Sequence, residues 1–392
     1  MSLQLINHSP DLKRLRDEGY EIEVHGGFLL IHHVPYLNSK VEVKYGTLVS
    51  KLDQANPTTT VKPQTHTLYF MGEPPCNNDG SVITAIRHSN PSIIIREGIT
   101  VNHMFSNRPP NGYENYYDKM STYVRILSGP AQSVDDTATA KTFKVITATA
   151  EESVFQYVDT NTSRAEIQQM NAKLEGQKIA IVGMGGTGAY ILDMLAKTPV
   201  AEIHIYDGDV FLQHNAFRSP GAASIEQLDQ QLMKTDYYAG IYTQMHKHII
   251  PHPYYINDGN IGELDQMTYV FIAIDKGKPR KYISGHLVNS GVSFIDVGLG
   301  VNIVDERLVG TLRVTSATAE KHDHLADKLP GTEDDDNDYA TNIQIAELNA
   351  MNAVMAVVKW KKLSGFYADL TGEHHSSYLI TTSKIINDDT TA

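Results

Sequence analysis

The chain of 392 residues carries 46 acidic against 33 basic side chains, a formal charge of −13, with 41% hydrophobic and 20% charged residues. This is globular composition with room for two or three domains and at least one sizeable core, and its acidity argues against a general nucleic-acid binder. No apolar run is long enough to span a bilayer, residues 1–20 lack the hydrophobic stretch of a secretory signal, and a single cysteine, Cys76, forbids an internal disulfide, a CxxC zinc site and a cysteine-held iron–sulfur cluster. The expectation is a protein of the reducing cytoplasm.

In chain order, residues 1–150 read as a β-rich N-terminal domain with irregular connections. Phe28-Leu29-Leu30-Ile31 and Thr67-Leu68-Tyr69-Phe70 are short strand-like runs bounded by Gly26-Gly27 and Gly72-Glu73-Pro74-Pro75. Residues 116–127 suit a helix. From 151 to 392 the rhythm changes. After a helical stretch at 163–174, strands are predicted at 178–183, 201–207, 249–256, 269–275 and 292–298. Helices are predicted at 187–197, 224–247 (broken), 258–266 and 278–290. Alternation at this spacing predicts an α/β, doubly wound, Rossmann-like domain. Residues 302–315 read as two antiparallel strands, 316–340 as an acid-rich polar segment, 342–363 as a long helix, and 377–381 with 384–386 as a closing strand pair.

The sharpest local feature is Gly183-Met184-Gly185-Gly186-Thr187-Gly188, directly after a strand and opening a helix. Glycines there let the backbone approach a phosphate, and the helix N-terminus offers N–H groups to the anion. The next strand ends in Asp207, 19 residues after Gly188, where a carboxylate can accept from ribose hydroxyls. These residues point to a nucleotide and leave NAD and ATP open.

The segment Tyr206-Asp207-Gly208-Asp209-Val210-Phe211-Leu212-Gln213-His214-Asn215-Ala216-Phe217-Arg218 resembles the ThiF/MoeB/HesA superfamily and the ubiquitin-activating enzymes. Their pattern at this place is Asp-x-Asp-x-Val, then Asn, then Arg. The resemblance implies ATP. Asp207 would bind ribose beside Asp209, and Asn215 and Arg218 would approach the phosphates. Lys234 would neutralise the triphosphate, at a spacing that assumes a short insertion at 219–232. Val270-Phe271-Ile272-Ala273-Ile274-Asp275, followed five residues on by Arg280, resembles the family's strand end that bears a carboxylate for Mg²⁺. That implies Asp275 as metal ligand, while Arg280 is open to simple pairing at the sheet edge. Asn161-Thr162-Ser163-Arg164-Ala165-Glu166-Ile167 resembles the helix whose arginine crosses a dimer interface to the partner's ATP, which makes Arg164 the candidate and a homodimer the expectation. Phe294-Ile295-Asp296-Val297-Gly298 and the late helix extend the resemblance over 155–392. Residues 1–150 resemble the domain preceding a ThiF-type domain in bacterial ubiquitin-like conjugation operons.

The chemistry implied is adenylation of the C-terminal glycine carboxylate of a ubiquitin-like or sulfur-carrier protein, with pyrophosphate released and a conjugating enzyme as a further partner. The alternatives are a peptide or small carboxylate substrate, or a nucleotide-binding scaffold that no longer adenylates. The sequence departs from the family in lacking a cysteine after the sheet and both CxxC pairs. A thioester within 151–392 is therefore excluded, and Cys76 is either a reactive thiol in a polar turn or a cysteine with no catalytic role. Glu333-Asp334-Asp335-Asp336 reads as a solvated loop, and His322, His324, His374 and His375 lack metal-ligand spacing.

Overall fold

The computed structural model describes residues 3–56, 59–96, 98–145, 153–165, 167–329 and 343–390. Glu333–Asp336 and the expected first residue of the late helix, Asn342, lie outside them. The chain forms two compact units, one from 1–146 with 159–166 and one from 147–158 with 167–392.

In the first unit six antiparallel strands are ordered Ile22–His25, Phe28–Leu37, Val43–Lys51, Thr67–Met71, His103–Ser106, Arg87–Ser89. The helix Tyr116–Val134 buries Tyr116, Met120, Tyr123 and Leu127 with Leu29, Ile31, Leu48 and Phe70 of the sheet. Its N-terminus is capped by Asn115, whose side-chain oxygen accepts from the Asp118 N–H at 2.8 Å. Residues before Tyr20, for which the sequence suggested no element, form two short helices, Leu3–His8 and Pro10–Asp17. Cys76 is buried. Burial first, then the acidic Asp79 and Glu73, push its thiol pKa up, the opposite of what a reactive thiol needs.

In the second unit eight strands form one mixed sheet in the order Ile249–His252, Glu202–Tyr206, Lys178–Val182, Tyr269–Ile272, Ser293–Val304, Arg307–Ala317, Glu373–Leu379, Lys384–Thr390. The first five are parallel and the last three join antiparallel. The chain winds outward from Lys178–Val182 in one direction and then, through Tyr269–Ile272, in the other. The order therefore reverses beside Lys178–Val182, and in such sheets ligands bind in the crevice at the carboxyl ends there. Successive side chains point to opposite faces. Ile179, Ile181, Ile203, Ile205 and Phe271 meet Leu192, Leu195, Ala353, Val357 and Trp360 on one face. Ala180, Val182, Val270, Ile272 and Phe294 meet Ile261, Leu264, Ile283 and Leu287 on the other.

Several boundaries differ from expectation. The strand expected over 249–256 ends at His252, flanked by Pro251 and Pro253, which have no N–H to extend a ladder. The helix expected at 163–174 is two short pieces, Thr160–Arg164 and Gln168–Asn171. The stretch 258–266 forms only a 3₁₀ helix, Ile261–Gln266. Among the described residues no helix is long and apolar enough to cross a membrane.

One buried imidazole ties the acid stability of this unit to its packing. His246 is 0% exposed; its Nε2–H donates to the Val200 carbonyl at 3.0 Å and its Nδ1 accepts from the His248 N–H at 3.2 Å. Burial drives its pKa from 6.5 down to about 4, the Val200 carbonyl opposing only in part. The unfolded chain therefore takes up a proton that the folded chain refuses. This contribution is whole above pH 6.5 and is lost as pH falls toward 4, by about 3 kcal/mol. Denaturant unfolding at pH 7 and pH 4.5 should show His246→Gln losing less stability on acidification than the wild type; equal losses would contradict the assignment.

Candidate nucleotide site

A cavity of about 430 Å³ opens at the carboxyl ends of Lys178–Val182, Glu202–Tyr206 and Tyr269–Ile272. Its floor is the glycine loop. Gly183 has φ +99°, and a Cβ there would stand 2.6 Å from the Ala273 carbonyl oxygen. The residue must be glycine on both counts. A Cβ on Gly188 would collide with the Gly183 carbonyl, which is how the first turn of the helix Gly186–Leu195 comes down onto the strand end. Gly185 faces open space. By helix geometry the first N–H groups have no intrahelical partner, and together with the positive end of the dipole they make an anion site.

The loop is held by Asp207, which is 7% exposed. One carboxylate oxygen accepts the Met184 N–H and the other the Asp209 N–H, both at 2.8 Å. Lys234 opens the helix Lys234–Tyr242 and is buried rather than on the surface. Its Nζ lies 3.4 Å from Asp207 and 2.7 Å from Asp209. The Asp209 carboxyl is pushed up by partial burial, yet hydrogen bonds from Lys234 and the Tyr255 hydroxyl outweigh this and hold it below the usual carboxylate range. The same bond to Asp209, followed by burial, pushes the Tyr255 phenol up to about 12.

Arg218 lines the cavity, and its Nε is buried with no hydrogen-bond partner among the described residues. Asn349, from the long helix Ala346–Leu363, ties this corner together: its Oδ1 accepts from Thr187 Oγ1 at 2.9 Å and its Nδ2 donates to the Arg218 carbonyl at 3.2 Å. Tyr206, Tyr254 and Tyr255 form an aromatic wall backed by Ile256 and Ile283. The Tyr206 ring stacks on His252 at 4.1 Å. The cavity thus has a cationic, N–H-rich end and an apolar, aromatic end, the polarity a nucleotide requires.

Of the residues singled out in the sequence, Gly183, Gly185, Gly186, Asp207, Asp209, Arg218, Lys234 and Asp275 line this cavity. Gly188 supports it from the first helical turn. Asn215 does not line it: buried, its side-chain oxygen accepts from the Leu212 N–H at 2.9 Å and closes the local turn. Arg164 ends the helix Thr160–Arg164, and its side chain lies outside the described residues. Arg280 is buried and contacts Asp296 rather than solvent. Among the described residues no cluster of three or more His, Cys, Asp or Glu side chains is arranged to hold a metal. Tyr254, Tyr255 and Asn349 carried no motif signal; the proximity of Tyr254 and Tyr255 to a strand's carboxyl end was the available clue.

Residues 160–377 match the ThiF family. That is more than half of the chain, and the chain belongs to this family. Residues 10–160 match a domain of unknown function, DUF6791. No curated protein matches the chain. Similar solved structures include E. coli MccB with ATP, at 16% identity and a TM-score of 0.48 over 58% of this chain and 71% of that one. E. coli MccB with MccA-N7isoASN matches at 15% identity and 0.45 over 56% and 66%. PaaA matches at 14% identity and 0.45 over 59% and 80%. The chain spans about two thirds of the MccB chain.

Because Asp207 shapes the loop through its charge and both oxygens, Asp207→Asn should weaken ATP binding on the order of tenfold. Isothermal titration of wild type and variant measures this, and an unchanged Kd would show that the loop does not depend on Asp207.

Proposed function

We propose that the chain catalyses ATP-dependent adenylation of a carboxylate at the C-terminus of a peptide or protein. The carrying observation is the convergence, at the strand-order reversal, of the glycine loop, the buried Lys234 and Arg218 on one cavity with an aromatic end. The base would lie against Tyr206 and Tyr254, and the phosphates over Gly183–Gly188. A substrate carboxylate oxygen attacks the α-phosphorus. A new P–O bond forms, the bond to the α–β bridging oxygen breaks, and pyrophosphate leaves with that electron pair. The carboxylate is already ionised, so no general base is required. Catalysis is placement of the two reactants plus stabilisation of charge on the phosphates by Arg218, by Lys234, which keeps a third N–H beyond its two carboxylate partners, and by the helix N-terminus.

Asp275 is exposed at the cavity and has the chemistry for a Mg²⁺ shared with nucleotide oxygens, since that ion binds through one or two carboxylates plus phosphates. Asp209 is already engaged by Lys234 and Tyr255. A bound ion would supply charge neutralisation.

The finer reading of the substrate is a ubiquitin-like protein ending in glycine, with a conjugating enzyme downstream; a peptide is the other. The resemblance of 161–167 further suggests a homodimer in which Arg164 of one copy approaches the nucleotide of the other. ATP–pyrophosphate exchange, run separately with ubiquitin-like carriers and with peptides ending in a free carboxylate, tests this. Exchange should depend on one class of substrate and should fall on the order of 10²–10³-fold in Arg218→Ala and Asp275→Ala. Bound ATP with no exchange in either arm would overturn adenylation and leave a nucleotide-binding scaffold.

A further inference from the structure

Beside the nucleotide cavity lies a second, of about 370 Å³. The two share Thr187, Ala273, Ile274, Asp275 and Gln344. Beyond that shared mouth the second cavity runs over the antiparallel pair Ser293–Val304 and Arg307–Ala317. Residues two apart share a face of a strand, so Asp296, Gly298 and Gly300 lie on one face. The register places Thr315, Arg313 and Thr311 opposite them. Arg313 crosses the bare strand at Gly298. A Cβ there would stand 2.7 Å from Arg313 Nη2 and 3.0 Å from its Nε, so a side chain at 298 would displace the guanidinium.

Beneath this lies a buried triad. Asp296 is 0% exposed, with Oδ1 3.0 Å from Arg280 Nε and Oδ2 2.7 Å from Arg313 Nη2. Neither contact has the angles of a hydrogen bond, so both are ion pairs. Arg280 is 3% exposed and donates through Nη2 to the carbonyls of Ile274 and Val297. Arg313 donates through Nη1 to Thr315 Oγ1 at 2.9 Å and to the Lys328 carbonyl. His375 accepts or donates at Thr315 Oγ1, and burial, then the charges of Lys328 and Arg313, lower its pKa to about 4, so at neutral pH it adds no charge. Asp388 and Asp389 both face the one ammonium of Lys328, and Asp275 lines the same cavity. Two cations thus enclose one anion. Both arginines line the second cavity, and Arg313 is the more exposed of the two, at 15% of its side chain against 4%.

In the adenylation reading, the shared mouth gives a reacting carboxylate a way from the second cavity to the nucleotide. Arg313 lines only the second. We infer that Arg313 binds a second carboxylate of the substrate, an Asp or Glu side chain a few residues ahead of the reacting C-terminus, and that the protein therefore prefers an acidic tail. The inference rests on the adenylation reading of the neighbouring cavity. Thr315 and the Lys328 carbonyl take the Nη1 of Arg313 and Asp296 faces its Nη2, so the Nε–H beside Gly298 is the donor it offers, and a bond from a charged donor to a carboxylate is a strong one. Asp296 is a positioning residue: it fixes Arg313 across Gly298 and does not touch the substrate.

The test uses peptidyl sulfamoyl-adenosines, uncleaved mimics of the acyl-adenylate, with Asp, Ala or Lys placed in turn at each residue before the C-terminal glycine. Their Kd values are measured on the full chain. At one position Asp should bind roughly tenfold or more tighter than Ala, and Lys weaker than Ala. In Arg313→Gln the Asp-to-Ala ratio should collapse toward one, while Arg313→Lys restores part of it. Gly298→Ala, which displaces the guanidinium without removing it, should also lower the ratio. A ratio near one at every position in wild type, or a ratio that survives Arg313→Gln, overturns the inference and leaves adenylation standing. Failure of every compound to bind, the alanine series included, overturns the nucleotide reading and the inference with it.

Discussion

The Asp207 carboxylate is the constraint on which the nucleotide cavity depends. It sits at the end of an edge-proximal strand, almost enclosed, with one oxygen on the loop and the other on the turn that leads to Asp209 and Lys234. A buried carboxylate is costly unless every lone pair is used, and here its partners are the very groups that must be held still. The Met184 N–H fixes the glycine loop against its strand. The Asp209 N–H fixes the following turn, and the lysine pairs with both acids and offsets one of their two negative charges. The conformation of the glycine loop is therefore set before any ligand arrives, and preorganisation of this kind is what makes a polar site effective.

The remaining architecture serves that point from two directions. Reversal of strand order opens the crevice, and the long helix Ala346–Leu363 closes one side by placing Asn349 between Thr187 and the Arg218 carbonyl. The same helix anchors itself in the core through Trp360, which is fully buried and donates to Gln177 at 3.0 Å. On the other side the sheet continues as antiparallel strands, and this change lets one surface run from the nucleotide to the bare glycines and Arg313. A parallel sheet covered by helices on both faces would have no such open floor.

Much of the second unit was legible in the sequence because its signals are local. Lys178–Val182 is an unbroken apolar run ended by glycine, and the loop that follows needs glycines for reasons of backbone geometry alone. Lys234 was legible as a candidate but its burial was not, since pairing with two aspartates more than twenty residues away in sequence is a tertiary fact. Asn215 shows the converse. Its place in the motif is right, yet its amide is used by the turn it sits in. Tyr254, Tyr255, Asn349 and Arg313 were silent because each acts from a strand end, helix or ladder whose position follows only from the assembled sheet. In the first unit, short strands between irregular loops made β-richness clear, while the order of the six strands depends on long-range pairing that no local pattern encodes.

The central claim is that ATP is held by the backbone of Gly183–Gly188 on a loop already shaped by Asp207. Amide hydrogen exchange across this segment, with and without ATP, tests it most directly. The account predicts added protection centred on Gly185, Gly186 and Thr187 at saturating ATP, with little change at the far antiparallel strands. ATP binding with unaltered exchange in the loop would contradict it.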